Sequence, residues 1–240
     1  PENANVIFTN LLKDYPNDFE VKLNYGESLL WNSKFDSAKY YYSDLVTESP
    51  QSFPALLGYA NTLSNLNEYD NALIYVNKAL EVLPGNPNAL VSKKYIYLGY
   101  AYQNQQTQNY DKAELLLTKN LELFGEVKET LLNLANLYLI WNKLDFAQAT
   151  YERLGENKNN QLESLNGLSL VSHLNEKDKN ALNISKQAYS SLTNETDAKQ
   201  IQQTTERHVQ ALIWNRKYKQ AKNLIDSLLE KEPNENWILA

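Results

Sequence analysis

The chain has 240 residues, 42% of them hydrophobic and 22% charged, which suits a folded protein with one long domain or two compact ones. A formal net charge of −6 with no dense Lys/Arg cluster excludes nucleic acid as the main partner, because phosphate neutralisation needs a basic patch. Without cysteine there are no disulfides, thiolate metal sites or cysteine nucleophiles, and no apolar run reaches the roughly 20 residues of a membrane span.

In chain order, residues 1–18 read as a single helix, with Ala4, Phe8 and Leu11 on its packing face and Pro16 closing it. Residues 19–52 read as a helical hairpin whose second helix opens at "FDSA" (Phe35–Ala38) and stops before Pro50. Residues 53–86 repeat that plan with "YDNA" (Tyr69–Ala72) and Pro84. Residues 87–127 carry "YDKA" (Tyr110–Ala113) after an unusually long first helix that ends in the polar "QNQQTQN". Residues 128–161 hold "LDFA" (Leu144–Ala147). Residues 162–201 hold Ala181, and the segment Thr193–Asp197 takes up part of an insertion. Residues 202–235 hold "YKQA" (Tyr218–Ala221) and Pro233. Residues 236–240 read as the start of a further helix, with Trp237, Ile238 and Leu239 as an apolar face. The chain opens at Pro1 without Met, so we expect a piece of a longer protein, and the lack of a visible signal peptide carries no information.

The alanines set a register. Ala4, Ala38, Ala72, Ala113, Ala147, Ala181 and Ala221 are separated by 34, 34, 41, 34, 34 and 40 residues. The first long spacing adds seven residues, about two helical turns, and so keeps the same face inward. The second adds six, which breaks phase and requires extra loop. Asp36, Asp70, Asp111 and Asp145 stand two residues before the packing alanine, where they would cap the second helix or favour its positive end.

A 34-residue unit with this punctuation resembles the tetratricopeptide repeat. In the unit from Phe53, the family's large and small slots are filled by Leu56, Tyr59, Ala60, Leu63, Ala72, Val76, Ala79 and Pro84. The unit from Phe19 matches through Tyr25, Gly26, Leu29, Ala38, Tyr42, Leu45 and Pro50, with Lys22 departing at the first slot. The resemblance implies an all-α, right-handed superhelical α-solenoid of antiparallel helix hairpins, about six repeats plus a half repeat at the N-terminus. It also implies a concave surface lined by the first helix of each hairpin, helix A. Carried over residue by residue, that surface presents Glu27, Asn61, Asn136 and Gln210, with Glu206 nearby and Tyr100 as the counterpart in the irregular third unit. Leu23, Leu57 and Leu132 accompany them.

Some members of this family clamp the C-terminal carboxylate of chaperone tails with a set of Lys, Asn and Arg residues. Here Asn61 supplies one element, Leu57 replaces a lysine, and Lys93 and Tyr97 follow without the arginine, so that function is not expected. No phosphate-binding "GxxxxGK" or "GxGxxG" is present. The two histidines, His173 and His208, fall on different predicted helices, and no nucleophile-elbow pattern accompanies them. The sequons "NIS" (Asn183–Ser185) and "NET" (Asn194–Thr196) are short matches in an Asn-rich chain. We therefore expect no catalytic residue, no metal and no cofactor.

The expected function is a non-catalytic scaffold that binds a protein or peptide partner through the concave helix-A surface, with self-association through terminal repeats as an added expectation. The alternative is a polysaccharide-associated module of a bacterial envelope export or outer-membrane system, suggested by a surface rich in Tyr, Trp and amides. The phrase Trp-Asn-x-x-aromatic, at Trp31, Trp141 and Trp214, resembles repeats of bacterial envelope proteins, which leans the reading towards that compartment without fixing it. These tryptophans either pack between repeats or line the groove, and packing is the favoured expectation.

Overall fold

The structure, a computed structural model, describes residues 2–231, which hold thirteen α-helices. By backbone packing they fall into two compact units, Pro1–Phe124 and Gly125–Ala240. In the first, α1 (Glu2–Asp14) precedes three hairpins: α2 (Phe19–Trp31) with α3 (Phe35–Glu48), α4 (Phe53–Asn65) with α5 (Tyr69–Val82), and α6 (Pro87–Gln106) with α7 (Tyr110–Phe124). The second holds α8 (Lys128–Ile140) with α9 (Leu144–Gly155), then a 3₁₀ turn (Lys158–Asn160). After it come α10 (Gln161–Leu174) with α11 (Asp178–Ser190) and α12 (Ala198–Trp214) with α13 (Tyr218–Lys231). The closing Pro233 and the apolar Trp237, Ile238 and Leu239 lie outside the described residues, as does the side chain of Ala4.

Each hairpin turns on one left-handed residue. Ser33, Asn67, Gln108, Asn142, Glu176 and Arg216 all have φ between 56° and 61°. The next amide reaches back to close the first helix: Lys34 to the Leu29 carbonyl, Glu68 to Leu63, Asn109 to Asn104, Lys143 to Tyr138, Lys177 to Ser172 and Lys217 to Leu212, all at 2.8–2.9 Å. The left-handed residue itself bonds three residues back, for example Asn142 to Leu139 at 3.1 Å. This double closure is a Schellman motif, which usually carries Gly at the left-handed position. None of the six is Gly, so each stores backbone strain.

That turn leaves α3, α5, α9 and α11 without side-chain caps. The capping positions are Lys34, Glu68, Lys143 and Lys177, none of which makes a cap hydrogen bond. Of the two roles open to Asp36, Asp70, Asp111 and Asp145, the structure shows the second: they sit inside the first turn and favour its positive end by charge. Among the first helices, α2, α6 and α12 are capped by side chains: Asp18 accepts from Val21 at 2.9 Å, Asn86 from Ala89 at 3.1 Å and Asp197 from Gln200 at 3.0 Å, whereas α8 and α10 have no such cap.

The buried alanines Ala38, Ala72, Ala113, Ala147 and Ala181 have no exposed surface and let paired helices approach closely. Both insertions become visible. Helix α6 has 20 residues against 13 in α4, so the first insertion is absorbed entirely as helix. The second is divided between α12, with 17 residues, and the loop 191–197. Lys22, the odd residue at an apolar slot, is buried, with its ammonium 2.6 Å from Asp44 and 3.3 Å from Glu48 on α3. Its hydrogen bond to Asp44 raises its pKa.

Consecutive hairpins interlock through a tyrosine set against a glycine. The Tyr42 ring from α3 lies over Gly58 of α4, and the Tyr151 ring from α9 lies over Gly167 of α10. A Cβ at Gly58 would stand 2.2 Å from the Tyr42 ring, and one at Gly167 2.2 Å from Tyr151. Burial pushes the Tyr42 hydroxyl far up and the Tyr151 hydroxyl up to about 12, and Tyr151 donates to Asn136 Oδ1 at 2.9 Å. In the second unit, buried hydroxyls also tie helices together: Ser164 donates to the Tyr151 carbonyl at 2.6 Å and Ser169 to Ala181 at 2.9 Å. His208 of α12 lies 3.0 Å from Ser185 Oγ and stacks on Tyr189. Burial, then the nearby Lys186, holds His208 below the usual 6.5.

Three outcomes follow from this packing. Gly58→Ala should lower stability by about 1–3 kcal/mol through overpacking against Tyr42, outweighing a helix-propensity gain of about 1 kcal/mol; a urea midpoint at or above that of the parent would contradict it. Glu176→Gly should raise stability by about 1 kcal/mol by removing left-handed strain, read from the same titration. Because the folded state disfavours protonated His208, stability present above pH 6.5 should be lost as pH falls below that value. In His208→Gln, thermal melts over the same range should show a smaller loss.

Candidate functional site

Helix A of each repeat supplies one wall of a cleft, and the tyrosine–glycine joint supplies its floor. In the first unit, α2 touches α4 and α4 touches α6. Their shared side holds a cleft of about 710 Å³ floored by Tyr42 and Gly58. Glu27 and Asn61 line it, together with Leu23, Leu57, Trp31 and Tyr95. Glu27 is exposed and Asn61 half-buried. Leu23 and Leu57 are half-buried and supply apolar contact between the polar groups.

Trp31 departs from expectation. It is 78% exposed and lies on the rim of this cleft instead of packing between repeats. It is the last residue of α2, where the chain already turns away, so no following helix covers it. Tyr95, 50% exposed on α6, is a second aromatic of the same cleft, and its ring lies 4.3 Å from the Lys94 ammonium. Trp214 does pack: its ring stacks on His173 with centroids 3.8 Å apart and planes nearly parallel. Trp141 is half-buried, with the Lys143 ammonium over its ring.

The second unit holds a cleft of about 400 Å³ built on the equivalent positions, with Tyr151 and Gly167 in place of Tyr42 and Gly58. Asn136, Glu206 and Gln210 line it, beside Glu163, Asn166, Gln203 and Arg207. The sequence-predicted residues are thus gathered in two places: Glu27 with Asn61, and Asn136 with Glu206 and Gln210. Tyr100 joins neither. It is only 6% exposed, donates to Asp70 Oδ2 at 2.7 Å, stacks on Tyr69 and meets the Lys112 ammonium. The seven-residue extension of α6 is the reason, since the slot-by-slot correspondence was carried across it.

Glu163, Asn166 and Arg207 were not picked out from the sequence, and Trp31 was expected to pack and not to line a cleft. Gly58 and Gly167, mid-helix residues that cost helix stability, were a usable sign of a close approach. Nothing local marks Glu163 or Arg207, whose neighbours come from other helices.

The Ser185–His208 pair has the distance of a nucleophile and base, but Ser185 is fully buried and its hydroxyl donates to the Leu182 carbonyl at 3.0 Å. His173 Nδ1 lies 2.6 Å from Asp178 Oδ1 under the Trp214 ring. Among the described residues no group of three His, Asp or Glu is placed to hold a metal ion, and no helix is long and apolar enough to cross a membrane.

No protein-family profile matches this chain, and no curated protein matches it. Solved structures do. MamA is 16% identical with a TM-score of 0.54, over 72% of this chain and 90% of that one. A tetratricopeptide repeat protein from Parabacteroides merdae is 16% identical with a TM-score of 0.52, over 98% of this chain and 88% of its own. YrrB, described as a TPR protein with an unusual peptide-binding site, is 17% identical with a TM-score of 0.50, over 82% and 95%. At such identities the likeness is one of fold. Together with the 34-residue register and the hairpins it specifies, it shows that this chain has the tetratricopeptide-repeat fold.

Proposed function

We propose that this chain is a non-catalytic protein–protein interaction scaffold whose helix-A surface receives an extended segment of a partner protein. The observation that carries this reading is the first-unit cleft, where Glu27 and Asn61 alternate with Leu23 and Leu57 beneath the exposed Trp31. An extended backbone offers N–H donors and C=O acceptors at regular intervals. A carboxylate and a side-chain amide answer both without requiring a particular sequence. Leucines beside them accept apolar side chains, and an exposed tryptophan is the residue type most enriched among interface hot spots. YrrB, of the same fold, has a peptide-binding site, which supports the reading by analogy only.

A second reading, a polysaccharide-associated module of the bacterial envelope, draws on Trp31 and Tyr95 in the same amide- and acid-bearing cleft. An aromatic face beside hydrogen-bonding groups also suits a sugar ring.

The test places a photo-crosslinking amino acid at Asn61 and captures partners with the whole chain. The expected result is a crosslinked protein whose affinity falls about tenfold or more in Trp31→Ala, as for an interface anchor. A captured protein whose binding ignores both Trp31→Ala and Asn61→Ala would sink the groove assignment. Binding in a glycan array, lost in Trp31→Ala and without any protein crosslink, would replace the scaffold by the second reading.

A further inference from the structure

Trp31, Trp141 and Trp214 end a first helix with nearly the same phrase, and two of them meet a cation of this chain. The Lys143 ammonium stands 3.2 Å from the centre of the Trp141 ring, and the Arg207 guanidinium 5.8 Å from that of Trp214. Trp31 is 78% exposed, and among the described residues no cation and no second ring lies against it. The sequence gives a local reason. Lys143 follows Trp141 by two residues, whereas the residue two after Trp31 is Ser33.

A carboxylate stands beside that uncovered ring. Glu27 precedes Trp31 by four residues on α2, so the two side chains are neighbours on one helix face. Both line the first-unit cleft, where Glu27 is the only Asp, Glu, Lys or Arg among the lining residues. Among the described residues Glu27 makes no ion pair and accepts no hydrogen bond. Its counterpart in the second unit is Asn136, fifteen residues before Tyr151 as Glu27 is before Tyr42. Asn136 is engaged, because the Tyr151 hydroxyl donates to it at 2.9 Å. Tyr42 makes no such bond to Glu27; burial, then the Glu27 charge, pushes its hydroxyl up. Tyr95, the aromatic that α6 brings to the cleft, already has the Lys94 ammonium 4.3 Å from its ring. One face of α2 therefore presents an unshared carboxylate next to an uncovered indole. The net charge of −6 on the whole chain also favours the approach of a cation.

We propose that the partner segment received by this cleft carries an arginine, whose guanidinium lies on the Trp31 ring and donates through its edge to Glu27. This inference rests on the partner-binding reading of the first-unit cleft and names the side chain that reading leaves open. A guanidinium is flat, so it stacks on an indole and bonds a carboxylate at the same time. A lysine ammonium is a compact, strongly hydrated point charge without that flat face. An acidic segment would set like charge against Glu27. Leu23 and Leu57 meet apolar neighbours of the arginine, and Asn61 meets its backbone.

The experiment is phage selection of random peptides on the whole chain, followed by fluorescence anisotropy with the enriched peptides made as labelled synthetic probes. Peptides whose binding is lost in Trp31→Ala should share an arginine. Replacing that arginine by citrulline, its neutral isostere, should weaken binding about tenfold or more, as for a close charge pair across an interface. In Glu27→Gln the arginine and citrulline peptides should bind alike. Trp31 and Glu27 are both exposed, so neither substitution disturbs the core. Three outcomes would overturn the inference and leave the groove reading standing: Trp31-dependent peptides without arginine, an arginine that citrulline replaces without loss, or a citrulline loss that Glu27→Gln leaves unchanged. Peptides indifferent to both Trp31→Ala and Asn61→Ala, or no enriched peptide at all, would remove the groove reading and this inference with it.

Discussion

Every hairpin depends on the left-handed residue that ends its first helix. A helix runs on until its last carbonyls are satisfied some other way, and the amide at Lys34, Glu68, Asn109, Lys143, Lys177 or Lys217 does this by bonding five residues back along the turn. The chain then reverses within three residues, and an alanine four residues beyond that amide meets the returning helix with no side chain in the way. At α3, α5, α9 and α11 the residue at the turn makes no side-chain cap, and an aspartate in the first turn supplies charge instead. One backbone conformation thus sets the reversal, the close approach and the location of the acidic residues.

Stacking needs a second device. Tyr42 and Tyr151 each project from a second helix into the first helix of the next hairpin, where Gly58 and Gly167 have no Cβ to obstruct the ring. Each joint also floors a cleft, so the contact that holds the repeats together makes the concavity between them. The two units use this common frame for different chemistry. The first opens a cleft rimmed by exposed aromatics over alternating leucines and polar groups. The second surrounds its tyrosine with Glu163, Asn166, Glu206 and Arg207, and its joints lean on buried serine and threonine bonds to backbone and amides. Such a network is stable only when every member is paired, which is why the unpaired Glu163 Oε2, Asn166 Oδ1 and Arg207 Nε in it stand out.

Much of the fold is legible in the spacing of Ala38, Ala72, Ala113, Ala147, Ala181 and Ala221, because helix packing needs a small residue at a fixed place and tolerates little else there. Of the two tasks the spacing allowed the aspartates, capping or first-turn charge, the structure shows the second. Their distance from the alanine is fixed by the repeat, but whether a residue caps depends on backbone angles, which the left-handed turn had already set. Trp31, Trp141 and Trp214 begin nearly the same phrase and end in three environments: exposed, half-buried beneath a lysine, and stacked on a histidine. Local spelling placed all three at the end of a first helix, and the neighbouring chain determined what covers each.

The sequence by itself determined the period, the hairpins, the buried alanines and the polar character of the helix-A surface, since these follow from local periodicity. It also placed Glu27 beside Asn61, and Asn136 beside Glu206 and Gln210, because within regular repeats equal positions share a side. It misplaced Tyr100, where the longer α6 shifts the correspondence and Asp70 takes the hydroxyl. Only the tertiary structure revealed the unpaired Glu163 Oε2, Asn166 Oδ1 and Arg207 Nε. Whether a polar atom is satisfied depends on groups 35 or more residues away in sequence, such as Lys128 for Glu163 and Thr204 for Asn166, and no local pattern records those meetings.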